Sequence, residues 1–448
     1  MAVLMPTAPG SVKDDPRICV IGAGPCGLTA IKNLRAVGLR NIVCYDDGEA
    51  IGGNWVFSES TERVSVYECT HIISSRRLSG FDDFPMPVDY PDFPSHRQLL
   101  SYFQGYAKKF DLDAHIRLRR RVTEVKRGSD GRWTVRVADG NGTTSADEIE
   151  VFDYLLVCAG HHRDPFVPDY PGHFDGRTLH SSAYRSSDQL RGLRVLVVGA
   201  GNSGCDIAAD VSRVASATCL SMRHGAYIMP KLVFGRPVDV MLARARRYVP
   251  TPLLQPFLRL ALGVIIGKWE AYGLQRPEYG PLEMHPTLNS SILEALRSGQ
   301  VLPRVGVDRL DGRFIQFCDG RKEPFDAIIW ATGFRTSFPF LASTVIDWSP
   351  TQPPHLYLKM MHGVISNLFF IGLFQPIGCI WNLADYQARI AAYQIVGKLP
   401  RRADIGQRIQ REIATPHWRF SKSARHAIEV DAHHFRGELL QELSRAGI

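Results

Sequence analysis

The chain has 448 residues, 45% of them hydrophobic and 22% charged, so it can form two globular domains with substantial cores. Its net charge of +8 comes from scattered Arg and Lys residues, which argues against a nucleic-acid-binding protein. The nine cysteines include no C-x-x-C pair, which argues against a disulfide reductase and predicts a cytoplasmic protein with reduced thiols. No metal site is expected, because neighbouring side chains such as His161 and His162 point apart on an extended chain.

The first predicted unit is a strand, a glycine-rich turn and a helix. The apolar run Ile18–Ile21 is followed by Gly22, Gly24 and Gly27, and apolar residues then recur at helical spacing. Such a turn lets the backbone approach a pyrophosphate, which the helix N-terminus binds through unpaired N–H groups. Asp46 follows Gly27 by nineteen residues, where a carboxylate accepts hydrogen bonds from ribose hydroxyls and repels a 2′-phosphate. The unit therefore predicts an FAD site.

The same plan returns later in the chain. The apolar strand Val195–Val198 leads into a second glycine-rich turn and a helix, and the turn residues are Gly199, Gly201, Asn202, Ser203 and Gly204. The equivalent second strand ends without an acid, and Arg223 follows the last glycine by nineteen residues. Because a guanidinium suits a 2′-phosphate, this unit predicts an NADPH site. For both Asp46 and Arg223 a solvated surface charge is the alternative interpretation.

Four spaced residues between the two loops form a motif that we call the fingerprint: Phe174, Gly176, His180 and Tyr184. With it, the chain resembles the flavin-containing monooxygenases (class B flavoprotein monooxygenases) over most of its length. The resemblance implies an α/β fold of two Rossmann-like dinucleotide-binding domains, with the NADPH domain inserted in the FAD domain. We predict a flavin domain from residues 14–165 and 325–448, and a nicotinamide domain from residues 166–324.

The fingerprint is predicted to act as a hinge, since it lies where the chain crosses between the domains. His180 and Tyr184 would share one face if this segment were helical. Tyr184 also bears on the reaction, because the resemblance implies that dedicated Baeyer–Villiger relatives carry Trp there. An unrelated surface helix would show the same spacing.

Further site residues are implied by the resemblance alone. Gly53 and Trp55 match a second flavin motif, and Gln375 falls in a C-terminal segment expected beside the flavin ring. His285 and Asn289 match a segment of the nicotinamide domain and are expected to be structural residues on the cofactor side.

One position departs from the family pattern. The segment after Tyr67 should carry a Thr-Asn pair whose Asn helps to position NADP and the oxygenating flavin, but this chain has Ile72 and Ile73. The catalytic residue is therefore unknown. His71 is a weak candidate, because it would share a face with Ile73 on an extended segment.

The apolar segment between Leu253 and Gly267 is too short to span a bilayer, so no integral membrane segment is expected. A buried helix is the favoured interpretation. A helix on a membrane surface, which Arg259 would suit, is the alternative.

The predicted activity is that of an FAD- and NADPH-dependent monooxygenase. The resemblance implies that NADPH reduces the flavin, oxygen adds to give a C4a-hydroperoxide, and a soft nitrogen or sulfur nucleophile takes one oxygen atom. The expected partners are a small-molecule substrate and molecular oxygen, and a homo-oligomer is left open. Baeyer–Villiger oxygenation of a ketone, an NADPH oxidase producing peroxide, and a non-catalytic redox-sensing flavoprotein are the alternatives.

Overall fold

The computed structural model describes residues 15–140, 147–246, 248–281, 286–346, 354–415 and 428–447. His285, and residues 14 and 448 at the ends of the predicted flavin domain, lie outside the described residues. The fold is α/β and contains two parallel sheets of five strands each.

The first parallel sheet carries the first glycine loop. Its strands, in spatial order, are Leu368–Phe370, Tyr154–Val157, Ile18–Ile21, Ile42–Tyr45 and Ile116–Arg117. Alternate residues of its strands face two cores, because Ile18 and Val20 pack against helices while Cys19 and Ile21 pack against an antiparallel sheet. The strands of that sheet are Arg120–Arg127, Trp133–Asp139 and Glu148–Phe152. Burial on both faces explains why these parallel strands are almost wholly apolar.

The second parallel sheet repeats this layered plan around the second glycine loop. Its strands, in spatial order, are Arg177–His180, Ala327–Trp330, Arg194–Val198, Ala217–Ser221 and Val301–Arg304. Val195 and Val197 face helices, whereas Leu196 and Val198 face a mostly antiparallel sheet. The strands of that sheet are Gly172–Phe174, Val307–Gly312, Phe314–Phe317 and Lys322–Pro324.

The second sheet corrects the predicted boundary at residue 325. Strand Ala327–Trp330 lies inside the second parallel sheet, between strands that begin at Arg177 and Arg194, so it belongs with the predicted nicotinamide domain rather than the predicted flavin domain. An acid-led apolar strand fits either sheet, so its pattern alone could not assign it. The two crossings between the sheets pair with each other instead, through short antiparallel strands at Asp164–Pro165 and Phe334–Arg335.

The remaining elements are helices and short strand pairs. The α-helices are Pro25–Ala36, Arg76–Ser79, His96–Lys109, Asn202–Val211, Val238–Arg246, Thr251–Ile265, Ser290–Arg297, Ile380–Ile395, Ile405–Ala414 and Ala432–Ser444. The 3-10 turns are Gly53–Trp55, Asp113–His115, Ser181–Ala183, Ser187–Leu190 and Trp269–Tyr272. The other strand pairs are Ile228–Met229 with Thr287–Leu288, Leu232–Val233 with Arg236–Pro237, and Gln375–Pro376 with Glu429–Val430.

The expectation of a buried helix in the apolar segment is wrong for one of its faces. Helix Thr251–Ile265 forms, and Leu254 and Leu262 are buried, but Phe257 and Leu260 on the other side are exposed. Apolar composition on all sides predicts burial only if something covers every side. Within the described residues, no helix is both long and apolar enough to cross a membrane.

Candidate active site

The first glycine loop has a backbone that only glycine can adopt. Gly22 has φ of +106°, and a Cβ there would lie 2.6 Å from the carbonyl oxygen of Cys158. A Cβ on Gly27 would overlap the carbonyl oxygen of Gly22. Helix Pro25–Ala36 then begins without a side chain capping its N-terminus. Pro25 has no N–H group, but the N–H groups that follow it in the first turn are available to an anionic group, as a pyrophosphate requires.

Asp46 ties this loop to the end of the second strand. One carboxylate oxygen accepts the N–H of Ala23 at 2.7 Å. The other accepts the N–H of Gly48 at 2.6 Å and the guanidinium of Arg63 at 3.0 Å. A carboxylate offers roughly four lone-pair positions, so Asp46 keeps capacity for a ribose hydroxyl. The buried carboxylate thus fits the predicted ribose-binding role.

The other predicted flavin residues lie in two places. Gly53 has φ of +60°, and a Cβ on it would lie 3.1 Å from the Cα of Gly24, so the second flavin motif touches the first loop. Trp55 packs edge-on against Trp381, with ring centroids 6.0 Å apart. Gln375 is held by a hydrogen bond of 3.0 Å between its Oε1 and the Nε2 of His161.

The second glycine loop reproduces the geometry of the first. Gly199 has φ of +108°, a Cβ on it would overlap the carbonyl oxygen of Ala331, and a Cβ on Gly204 would overlap that of Gly199. The Asn202 side chain accepts the N–H of Leu288 at 3.1 Å. Helix Asn202–Val211 also begins without a side-chain cap, so this loop too can meet a pyrophosphate.

Arg223 differs sharply from its counterpart in the first unit. It lies just beyond the end of strand Ala217–Ser221 and is exposed. Within the described part of the chain, its guanidinium has no carboxylate partner at salt-bridge distance, so it stands ready for an anion from solution.

The fingerprint residues do not form the helix that would place His180 and Tyr184 on one face. His180 ends a strand, and Tyr184 follows a short 3-10 turn. Gly176 is required because a Cβ there would overlap the ring of Phe174. The buried His180 ring contacts the second crossing, where its Nε2 donates to the carbonyl of Gly333 at 3.0 Å. Burial lowers the pKa of His180.

Two tyrosine–aspartate pairs hold the helix of the second loop, one reaching it from the first unit and one from the fingerprint. The Tyr67 hydroxyl donates to Asp206 at 3.0 Å, and the Tyr184 hydroxyl donates to Asp210 at 2.6 Å. The two rings meet edge-on, 5.7 Å apart. Asn289 donates to the other oxygen of Asp206 at 2.6 Å, which gives this predicted residue a structural role. Burial raises the pKa of Asp206, against the charge of Lys231 and these hydrogen bonds.

Arg185 links the fingerprint to residues 58–63 of the first unit, and sequence reasoning missed it. Its buried guanidinium donates to five backbone carbonyls, those of Ser58, Ser60, Arg63, Ser182 and Tyr184. Arg63 in turn reaches Asp46. The only signal in the sequence is that Arg185 directly follows the fingerprint tyrosine.

The segment with the two isoleucines is held by a contact from the second unit. Ile72 is buried and Ile73 is half-buried at a bend, whereas His71 is exposed and its Nδ1 contacts the carbonyl of Cys69 at 2.9 Å. Lys231 donates to the carbonyl of Ile72 at 3.4 Å. Burial lowers the pKa of Lys231, against the charge of Asp206. Lys231, which the sequence did not single out, is therefore better placed than His71 to supply polarity here.

A comparison with family models matches residues 15–445 to the model described as "Flavin-binding monooxygenase-like". Rat "Flavin-containing monooxygenase 5" is 34% identical over 445 residues, covering 93% of this chain and 80% of that protein. The chimpanzee "Dimethylaniline monooxygenase [N-oxide-forming] 2" is 36% identical over 390 residues, covering 83% and 72%.

Solved structures share the fold. The S-allyl-L-cysteine S-oxygenase from Allium sativum superposes with a TM-score of 0.70 at 20% identity, covering 95% of this chain and 88% of that one. An NADP+-bound cyclohexanone monooxygenase from Rhodococcus sp. Phi1 reaches 0.71 at 16% identity, covering 96% and 97%. At these identities the likeness concerns architecture, and it supports the α/β fold of two dinucleotide-binding domains.

Proposed function

Since the chain belongs to the flavin-binding monooxygenase-like family and is an FAD- and NADPH-dependent monooxygenase, we propose that it transfers one oxygen atom to a soft nitrogen or sulfur nucleophile. The substrate is a small molecule, and the second oxygen atom of dioxygen leaves as water. A cytoplasmic location is a further prediction, and the oligomeric state is left open.

The first loop is the proposed FAD site and the second the proposed NADPH site. The residues for FAD are Gly22, Gly24, Gly27, Asp46, Gly53, Trp55 and Gln375, and those for NADPH are Gly199, Gly201, Asn202, Ser203, Gly204 and Arg223. Bound FAD, reduced by NADPH, supplies the oxygen activation. The chain's own contribution is to bind both cofactors and to keep water out around Ile72 and Ile73. The Tyr67–Asp206 contact between the two units orients the cofactor sites, and the Tyr184–Asp210 contact fixes the helix of the second loop.

The observation that carries the choice of nucleophile is the tyrosine at position 184. The Tyr184 hydroxyl donates to Asp210 on the helix of the second loop. The dedicated Baeyer–Villiger pattern has Trp at position 184. The names of an N-oxide-forming relative and an S-oxygenase with the same fold are in keeping with this choice. Ketone oxygenation is the nearest alternative, because cyclohexanone monooxygenases also share the fold.

A second candidate function, an NADPH oxidase that releases peroxide, is favoured by Ile72 and Ile73. Neither side chain can donate or accept a hydrogen bond. One lost hydrogen bond costs on the order of 1 kcal/mol, so we expect partial loss of coupling between NADPH use and oxygenation rather than its abolition.

The test measures where the oxygen goes. Purified protein receives NADPH and isotopically labelled dioxygen with a tertiary amine, a thioether or a cyclic ketone. We expect a labelled N-oxide or sulfoxide that accounts for most of the NADPH consumed. A labelled lactone from the ketone alone would establish Baeyer–Villiger activity instead, and peroxide without product would establish the oxidase. Absence of turnover with every substrate would favour a redox-sensing flavoprotein.

A further inference from the structure

His161 is buried at the edge of the first parallel sheet where the first glycine loop lies. Strand Tyr154–Val157 runs parallel to Ile18–Ile21 and ends level with it, so the residues that follow each strand leave the sheet at the same edge. Ligands of such sheets bind at the carboxyl ends of the strands. Only 9% of His161 is exposed. It is therefore a buried titratable group at the ligand-binding edge, and the proposed function gives it no role.

The hydrogen-bond partner of His161 is Gln375, which reaches the same edge from a neighbouring strand. Strand Leu368–Phe370 is parallel to the strand that precedes His161, and the chain then passes through Gly372. A Cβ on Gly372 would collide with the Sγ of Cys26, which lies in the first turn of the helix after the glycine loop. The segment that carries Gln375 therefore packs directly against the start of that helix.

The hydrogen bond fixes which end of the Gln375 amide faces the histidine. The Nε2 of His161 lies 3.0 Å from the Oε1 of Gln375. Burial lowers the pKa of His161, so its ring is neutral near pH 7 and carries one N–H. The Nδ1 atom is buried and makes no hydrogen bond within the described residues. Because buried N–H groups are rarely left without an acceptor, the proton lies on Nε2, which donates to the Gln375 oxygen.

The amide nitrogen of Gln375 is then left as an unused donor. No acceptor for it lies among the described residues, and the side chain is half-buried. Gln387 nearby shows the opposite arrangement: its Oε1 accepts the N–H of Gly372 at 2.9 Å, and its amide nitrogen donates to the carbonyl of Leu358 at 2.9 Å. Gln387 is thus satisfied by the protein at both ends, whereas Gln375 keeps one end for a ligand.

We propose that His161 is a positioning residue that turns the amide nitrogen of Gln375 towards the flavin ring, to which that nitrogen donates a hydrogen bond. This role rests on the proposed FAD site at the first loop. Reduction by NADPH adds negative charge to the ring, so a donor held beside it binds reduced FAD more tightly than oxidised FAD. The His161–Gln375 pair therefore raises the reduction potential of the bound flavin.

The experiment measures the midpoint potential of FAD in the full-length protein without oxygen. Gln375→Leu removes the donor, so the preference for reduced over oxidised FAD should fall by about tenfold, which is about 30 mV for a two-electron couple. His161→Phe leaves the amide in place but unheld, and the preference should fall by about fivefold. The two changes together should have the effect of Gln375→Leu alone, because His161 acts only through Gln375.

Two milder variants and a control complete the set. His161→Gln places an amide N–H at a similar reach and should restore most of the wild-type potential. Gln375→Glu keeps the shape of the side chain but replaces the donor with a carboxylate oxygen, so it should lower the potential as Gln375→Leu does. His115→Phe is the matched control, because the His115 ring contacts the carbonyl of Ile42 at 3.2 Å, at the opposite edge of the same sheet. It should leave the potential unchanged.

The proposal is overturned if Gln375→Leu and Gln375→Glu leave the potential unchanged or raise it, if His161→Phe leaves it unchanged, or if the two shifts add in the double variant. Unchanged potentials in a protein that forms labelled N-oxide or sulfoxide would refute only this role of His161. The expected shifts in a protein that releases peroxide alone would support the role and refute the proposed oxygenation.

Discussion

The two glycine loops have the same backbone conformation. They differ in the charged residue near the end of the strand that follows each loop. Gly22 and Gly199 have φ of +106° and +108°, and a Cβ on Gly27 or Gly204 would overlap the carbonyl of the first glycine in its own loop. Both helices begin without a side-chain cap. The shared part suits the group that FAD and NADPH have in common, the pyrophosphate.

The two units differ in the surroundings of the charged residue nineteen positions after the last glycine, which is Asp46 in the first unit and Arg223 in the second. Asp46 is 7% exposed and already accepts three hydrogen bonds, whereas Arg223 is exposed and has no carboxylate partner among the described residues. The protein's own contacts therefore hold Asp46 in place before any ligand binds, whereas Arg223 is left to solvent. This difference is in keeping with the proposal that the first loop binds FAD and the second binds NADPH.

The largest expected effect is at the first loop. Gly27→Ala places a Cβ where the Gly22 carbonyl oxygen lies, so the loop must open and FAD binding should fall by at least about a hundredfold. Absorbance of the purified variant would show little flavin. Gly437→Ala is the control, because a Cβ there meets nothing within 4 Å. If Gly27→Ala retained a full complement of FAD, the first loop would not be the flavin site.

The next largest effect is expected at Arg223, the exposed charge of the second unit. Arg223→Ala should raise the KM for NADPH by about tenfold or more and leave that for NADH unchanged, since a charged hydrogen bond contributes about 1.5–3 kcal/mol. Steady-state kinetics with both nucleotides measures this. Arg309→Ala, at another exposed arginine of the second unit, should change neither value. Equal losses for the two nucleotides would mean that Arg223 does not contact the 2′-phosphate.

A smaller effect is expected where the two units meet at Ile72 and Ile73. Lys231→Met removes the donor to the Ile72 carbonyl. The fraction of NADPH oxidation that reduces dioxygen to peroxide should then rise about fivefold, as one hydrogen bond allows. Ile73→Asn should lower that fraction, and His71→Ala should leave it unchanged because His71 is exposed. The peroxide yield per NADPH is the measurement.

Lys359→Met is the control for Lys231, because the Lys359 ammonium pairs with Glu412 away from this segment, at 2.6 Å. A peroxide yield that stayed constant in Lys231→Met and Ile73→Asn would show that this segment does not govern the fate of oxygen.

The smallest effect concerns stability at the Tyr67–Asp206 contact. Burial raises the pKa of Asp206, so its protonated form favours the folded state. Its contribution is fully present below the pKa of the unfolded chain and is lost as pH rises through the folded value. Asp206→Asn cannot ionise, so its melting temperature relative to wild type should rise between pH 4 and pH 8. Asp188→Asn, at an exposed position, should show no such trend, and parallel curves for Asp206→Asn would contradict the account.

Local features were predictable from the sequence, and contacts between distant segments were not. The glycine positions, and the spacing of Asp46 and Arg223 from them, follow from local backbone requirements. Arg185 and Lys231 act on segments more than a hundred residues away, and no local pattern encodes those contacts. The helix Thr251–Ile265 was expected to be buried, because composition records that a side is apolar but not what covers it. The prediction of the family, both cofactors and the α/β fold is confirmed.

The most direct test of the division between the loops is anaerobic reduction of the flavin in Gly204→Ala. This variant disturbs only the second loop, where a Cβ would overlap the carbonyl of Gly199. We expect a yellow protein with a full complement of FAD. Dithionite should reduce this FAD, whereas NADPH at concentrations that saturate the wild type should not. Reduction by NADPH at the wild-type rate, or loss of FAD from this variant while Gly27→Ala keeps it, would contradict the assignment of the two loops.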